Sequence, residues 1–258
     1  MRILTTIAIL LATLSICVAA SVKPGKPAKF CRIDPIRIGV VDTGFGYIGR
    51  GHDAHLCQYG HKDFSVEQEY SADYGTKTPV PTDLHGHGTN VAGLISEYAN
   101  KSSARYCLVI IKFFSIKQNG EENARASAAA FRYANNLNLE VVNYSGGGPD
   151  IQWDERDAVK AFLNRGGKLI AAAGNEHVYL DGTNNSYYPA MYDSRITVVG
   201  NVNIYGNKAE SSNFGPYVTT WENGENRIAY GITMTGTSQA TAITTGKIIA
   251  RMGKSCDK

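Results

Sequence analysis

Short apolar runs alternate with segments of helical period along most of this chain, and few folds accept that alternation. Ile36 to Val41 is a continuous apolar run ending on Asp42, as a strand buried on both faces reads. Val91 to Tyr98 is helix-like, and Leu108 to Phe114 is again strand-like. Ala126, Ala129, Ala130, Tyr133, Ala134 and Leu137 recur at helical spacing. The strand run Leu139 to Tyr144 follows and meets Ser145-Gly146-Gly147-Gly148. Ala158, Val159, Phe162 and Leu163 mark a further helix, and Gly166-Gly167 read as its left-handed stop. Lys168 to Ala173 and Ile196 to Gly200 complete the strands, and Ser238 to Met252 reads as a buried apolar helix. Such β-α units predict an α/β fold of three layers, a mostly parallel sheet with helices on both faces. No linker or repeat interrupts residues 21–258, which read as one domain.

Residues 1–20 have the pattern of a secretory signal. Arg2 is basic, Ile3 to Ile16 is mostly apolar, and Val18-Ala19-Ala20 offers small residues before Ser21. The run is short for a membrane span. Ile16 is too bulky for the residue preceding a lipidated cysteine, so Cys17 is not read as an anchor. Export past the membrane, to the periplasm or outside the cell, is the expectation. Four cysteines then remain, Cys31, Cys57, Cys107 and Cys256, enough for two disulfides. Cys31 and Cys107 both precede strand-like runs, and that shared position suggests pairing them. A net charge of +3 with no basic run makes nucleic acid and anionic membrane poor partners.

Three glycine-flanked signals carry the chemistry. Asp42 lies in V-V-D-T-G, His87 in H-G-T-N-V-A-G and Ser238 in G-T-S-Q-A-T. A serine hydroxyl is inert at neutral pH until an imidazole takes its proton, and that imidazole needs a carboxylate to hold its tautomer. Each signal has a bland alternative: a buried ion pair for Asp42, a core histidine for His87, a simple helix cap for Ser238. His85 competes with His87, but only His87 leads into G-T-x-V-A-G. Asn175, in A-A-A-G-N-E at a strand end, offers an amide donor or an Asx turn.

Taken together, these motifs resemble the subtilisin family of serine proteases. The resemblance runs from about Ile36 to the C-terminus and includes N-Y-S-G-G-G at Asn143 to Gly148 and Y-Y-P-A at Tyr187 to Ala190. It implies Ser238 as nucleophile, His87 as general base and then acid, and Asp42 as orienting carboxylate. Asn175 and the Ser238 N–H would form the oxyanion hole. It also implies that Ser145, Gly146 and Gly147 pair with extended substrate backbone. Ala172, Ala173 and Gly174 would wall the pocket for the side chain before the cleaved bond. The activity implied is that of an exported, monomeric endopeptidase acting on polypeptides without a cofactor. Calcium is common in the family, yet no calcium loop can be mapped.

The chain departs from the family pattern at several points. Gln239, Ala242 and Asn90 replace a common methionine, proline and second histidine. Residues 21–35 are too few for a folding propeptide. Tyr187 stands where a smaller residue is frequent and would favour small substrate side chains. Gly120-Glu121-Glu122 borders the expected cleft, where acids would attract basic side chains unless they are simply solvated. His52, Asp53, His55, Cys57, His61 and Asp63 resemble a metal cluster but fit no closed zinc spacing. Gly44-Phe45-Gly46-Tyr47-Ile48-Gly49 matches the dinucleotide fingerprint, with Glu67 near the ribose position, but loop-like sequence follows it. A catalytically silent, peptide-binding relative is the remaining alternative.

Overall fold

The structure is a computed structural model that describes residues 34–46, 55–65 and 71–253. The chain runs through β1 (Ile36–Asp42), β2 (Lys62–Asp63), β3 (Ser71–Ala72), β4 (Val80–Pro81), α1 (His87–Ala99), β5 (Tyr106–Lys112) and α2 (Gly120–Asn136). There follow β6 (Val141–Tyr144), α3 (Trp153–Asn164), β7 (Lys168–Ala172), β8 (Thr197–Val202), β9 (Thr220–Asn223), β10 (Arg227–Ala229), β11 (Ile232–Met234) and α4 (Thr237–Gly253).

Seven strands form one parallel sheet in the order β2-β5-β1-β6-β7-β8-β9. Because strand side chains alternate between faces, neighbouring residues feed different cores. Val40, Ile38, Ile110 and Ile170 pack with α1 and α4, while Val41, Ile111, Val142 and Leu169 pack with α2 and α3. Each fully buried Val, Leu or Ile is worth roughly 1.5–3 kcal/mol. That double burial explains why the strands read as unbroken apolar runs, and the expected three-layer arrangement is the one observed. The chain leaves β1 for β5 on one side and later returns to β6 on the other. This reversal opens a crevice at the strands' C-terminal ends, where Asp42 and Ser145 lie.

Local chemistry sets the helix ends. In α2 the Asn119 side chain accepts from the Glu122 N–H, and the Glu122 carboxylate accepts from the Asn119 N–H. The α3 helix closes as expected. Gly166 has φ 96°, its N–H donates to the Leu163 carbonyl, and the Gly167 N–H donates to that of Phe162. The α1 helix begins at His87, four residues before the apolar pattern of the sequence suggests, for a reason that lies in the site itself.

The disulfide differs from the expected pairing. Cys107 is bonded to Cys57 across a sequence separation of 50. The segment before β2 lies along β5: the Cys57 N–H donates to the Leu108 carbonyl and the Leu108 N–H to that of His55. That pairing sets Cys57 beside Cys107, with a Cα–Cα distance of 4.9 Å. Closing a loop of this length is worth about 4 kcal/mol of unfolded-state entropy. Cys31 and Cys256 lie outside the described residues, as does the signal pattern of residues 1–20.

Candidate active site

Asp42 ends β1 and is 3% exposed. Its Oδ1 accepts from the Thr43 N–H at 2.8 Å and from His87 Nδ1 at 2.7 Å. His87 is the first residue of α1, and Gly88 behind it is pressed against the Gly44 carbonyl, where a side chain would collide. Burial pulls the His87 imidazole down, but the Asp42 charge and hydrogen bond, with the Asp83 charge, outweigh it and leave its pKa raised. His85 also faces the cleft and approaches the His87 ring, but it does not reach Asp42.

Asp83 is the residue the sequence reading passed over. It is fully buried. Its Oδ1 accepts from the Thr43 hydroxyl at 2.9 Å, the His85 N–H at 2.9 Å and the Gly86 N–H at 2.8 Å. Its Oδ2 accepts from the Thr89 N–H at 2.9 Å and the Thr89 hydroxyl at 2.6 Å. Gly86 at the helix N-cap has no side chain to satisfy these donors and sits at φ 94°. Asp83 therefore caps α1 from outside it, which lets the helix start at His87. Thr43 closes the arrangement, since its hydroxyl accepts from the Gly88 N–H at 2.8 Å. The one available signal was an acid shortly ahead of a helical pattern.

Ser238 is the second residue of α4. Its hydroxyl donates to the Ser145 carbonyl at 2.9 Å rather than to His87, and the Ser145 hydroxyl donates back to the Ser238 carbonyl at 3.1 Å. Asn143 donates to the Ser145 hydroxyl, and Thr245 on α4 donates to Asn143. The β6 end and the α4 start are thus joined through buried polar groups. The Ser238 N–H belongs to the first helical turn, whose donors lack partners within the helix. Asn175 accepts from the Thr237 N–H at 2.9 Å through Oδ1, which leaves its Nδ2 to donate into the cleft.

Asp42, His87, Ser238 and Asn175 all line one cavity of about 640 Å³, together with Ser145, Gly146 and Gly147. Ala172, Ala173 and Gly174 are buried outside this lining; Tyr187 and Asn213 lie against Gly174. Glu121 pairs with Arg125 and Glu122 is spent on the α2 cap, so the two acids bordering the cleft already have partners. Two of the family departures meet each other. Gln239 donates to Asn90 at 3.1 Å, while Asn90 donates to the Ile232 carbonyl at 2.8 Å in the β10–β11 hairpin.

The rival features are absorbed into the fold. Phe45 bridges to Thr82, so the start of the glycine run, Gly44 to Gly46, lies beside residues 81–83 and opens no helix among the described residues. His61 uses both ring nitrogens: Nε2–H donates to the Cys57 carbonyl and Nδ1 accepts from the Ile110 N–H. Burial lowers its pKa and keeps it neutral. Cys57 is in the disulfide, and His52 and Asp53 lie outside the described residues. Among the described residues, no three His, Cys, Asp or Glu side chains gather around a common point.

A carboxylate–imidazole pair and a serine line one cleft at the strand ends of a parallel α/β sheet, the set of groups from which a serine hydrolase site of subtilisin type is built. The chain belongs to the subtilase family, which it matches over residues 34–252. It is 28% identical over 238 residues to the major intracellular serine protease of Bacillus subtilis, covering 86% of this chain and 69% of that one. It is 30% identical to the thermophilic serine proteinase of Bacillus sp. strain AK1, covering 84% of this chain and 52% of that protein. The chain thus spans between about half and two thirds of these relatives. The crystal structure of a cold adapted subtilisin-like serine proteinase shares the fold, with a TM-score of 0.65, 23% identity and coverage of 84% and 75%.

Proposed function

We propose that this protein is an exported serine endopeptidase that cleaves polypeptides through an acyl-enzyme. The observation that carries this reading is the 2.7 Å Asp42–His87 contact in one cleft with Ser238 and the Asn175 amide. Rotation about χ1 carries the Ser238 hydroxyl from the Ser145 carbonyl to His87 Nε2. The same rotation frees that carbonyl for an N–H of an extended substrate. Ser238 Oγ then attacks the scissile carbonyl while Nε2 takes its proton, and Asp42 holds the resulting imidazolium.

The oxyanion is met by the Ser238 N–H and by Asn175 Nδ2. Collapse breaks the C–N bond, and His87 returns its proton to the departing amine. Water, deprotonated by the same imidazole, then releases the acid and restores Ser238. The Cys57–Cys107 disulfide suits a protein kept in an oxidising compartment. A monomer is expected, acting without nucleic acid or membrane. Among the described residues, no helix is long and apolar enough to cross a membrane.

Purified protein should take up a fluorophosphonate at Ser238 and hydrolyse unfolded casein, and Ser238→Ala should abolish both. A folded protein that neither reacts nor cleaves would leave the silent, peptide-binding reading in its place.

A further inference from the structure

Two amides behind the catalytic groups form a unit that the reaction as described does not use. Asn90 lies on α1 three residues after His87, and Gln239 follows Ser238 on α4. Asn90 is fully buried and Gln239 nearly so, and neither lines the cavity that holds the catalytic groups. Gln239 Nε2 donates to Asn90 Oδ1 at 3.1 Å, so the first turns of the helices carrying base and nucleophile are joined directly. Deeper in, the same helices pack closely, and a Cβ built on Gly246 would fall 2.7 Å from the Ile95 carbonyl.

The orientation of this bond is fixed from outside. Asn90 Nδ2 donates to the Ile232 carbonyl at 2.8 Å and to the Arg227 carbonyl at 3.2 Å. A carbonyl can only accept, so Asn90 must turn its NH2 that way and its oxygen toward Gln239, which must then offer its own NH2. The two carbonyls come from opposite strands of the β10–β11 hairpin, which pairs with no other strand among the described residues. A lone two-stranded hairpin is marginal in water and needs an anchor. Ala229 and Tyr230 supply one by pressing on Gly93 of α1, where a built Cβ would fall 2.7 Å from Ala229 Cβ. The chain leaves β11 at Met234 and reaches Ser238 four residues later.

We propose that Asn90 and Gln239 are positioning residues that act as one unit: their bond holds Ser238 at the distance from His87 that proton transfer requires. This rests on the protease reading above. Ser238 must swing from the Ser145 carbonyl to His87, and the transfer then depends on where the two helix starts stand. Removing the Gln239 donor leaves Asn90 Oδ1 unpaired in a dry interior, and the first turns lose their link. Because neither amide faces the cleft, substrate binding is left as it was.

The test compares wild type, Gln239→Met, Asn90→Ala and the double variant on dye-quenched unfolded casein, with kcat counted per site titrated by a fluorophosphonate. Gln239→Met keeps the side-chain length and lacks the donor; it should lower kcat about 10-fold and leave KM within about 2-fold. In the Asn90→Ala background the same substitution should cost less than about 2-fold, since the donor there has no acceptor to lose. A purely structural pair would lower the denaturant midpoint and leave kcat per labelled site unchanged, which overturns the proposal. Equal losses of kcat in both backgrounds, a loss carried by KM, or a Gln239→Met protein that does not fold also overturn it. If Asn90→Ala does not fold, Gln239→Leu must reproduce the Gln239→Met result or the proposal falls. Folded wild-type protein that takes no label overturns the protease reading itself.

Discussion

Two carboxylates are buried around the cleft, and their surroundings drive them in opposite directions. Asp83, beside α1, accepts five hydrogen bonds, three of them from backbone N–H groups. Burial works against its charge, yet the Thr89 hydroxyl and the Gly86, Thr89 and His85 N–H groups prevail and lower its pKa. Glu155, on α3 and in the cavity lining, meets only hydroxyls, those of Ser127, Tyr144 and Tyr192. Burial prevails there and raises its pKa. Backbone donors at a helix start are fixed and aligned with the helix dipole, whereas hydroxyls rotate and serve other acceptors. Asp83 is accordingly held as an anion at neutral pH, and Glu155 is a carboxyl that gains by keeping its proton.

The sharpest way to break this contrast is Asp83→Asn. An amide places a donor among five donors, so at least one N–H or hydroxyl loses its acceptor in a dry interior. The unfolding free energy at pH 7 should fall by about 2–4 kcal/mol in denaturant titrations. The sign also fixes a pH window. Because its pKa is lowered on folding, the Asp83 contribution is present above the ordinary aspartate range and disappears as pH falls through the folded value. A change under about 0.5 kcal/mol, typical of neutral surface substitutions, would remove the contrast.

The next effect is on catalysis. His87 must be neutral to accept the serine proton, so activity should be lost as pH falls through a midpoint above the ordinary histidine value. The charge of Asp83 is one cause of that elevation. In Asp83→Asn that remains folded, the midpoint of kcat/KM should therefore move to lower pH, while a substitution at Glu155 should leave it in place. A midpoint that stays fixed in Asp83→Asn would confine Asp83 to a structural role.

The asymmetry between what was and was not readable follows the same physical line. The strands were legible because burial on both faces leaves no polar alternation, and Asp42, His87 and Ser238 because glycines crowd each of them. Asp83 reads as an ordinary turn residue in P-T-D-L-H-G; only the fold brings Thr43 of the β1 turn beside it. Cys57 lies in a stretch without period, and its partner is decided by an edge segment lying along β5. T-W-E-N of β9 lacks an apolar run, so that edge strand was invisible too. Each of these depends on a long-range contact rather than on a local pattern.

The mildest substitution gives the subtlest test of the contrast. Glu155→Gln keeps the shape and stays neutral, and its amide can donate to the Tyr144 or Tyr192 hydroxyl oxygen. The folded pKa of Glu155 is raised, so its carboxyl favours folding below the unfolded value and loses that contribution as pH rises through the folded value. The variant should therefore match the wild type near pH 4.5 and equal or exceed it at pH 8. A gain of about 1.4 kcal/mol corresponds to a raised pKa of one unit. Denaturant midpoints at the two pH values measure it directly. If Glu155→Gln instead costs at pH 8 what Asp83→Asn costs, the Glu155 hydroxyls hold an anion as firmly as the helix start does. The distinction between fixed and rotatable donors would then fail.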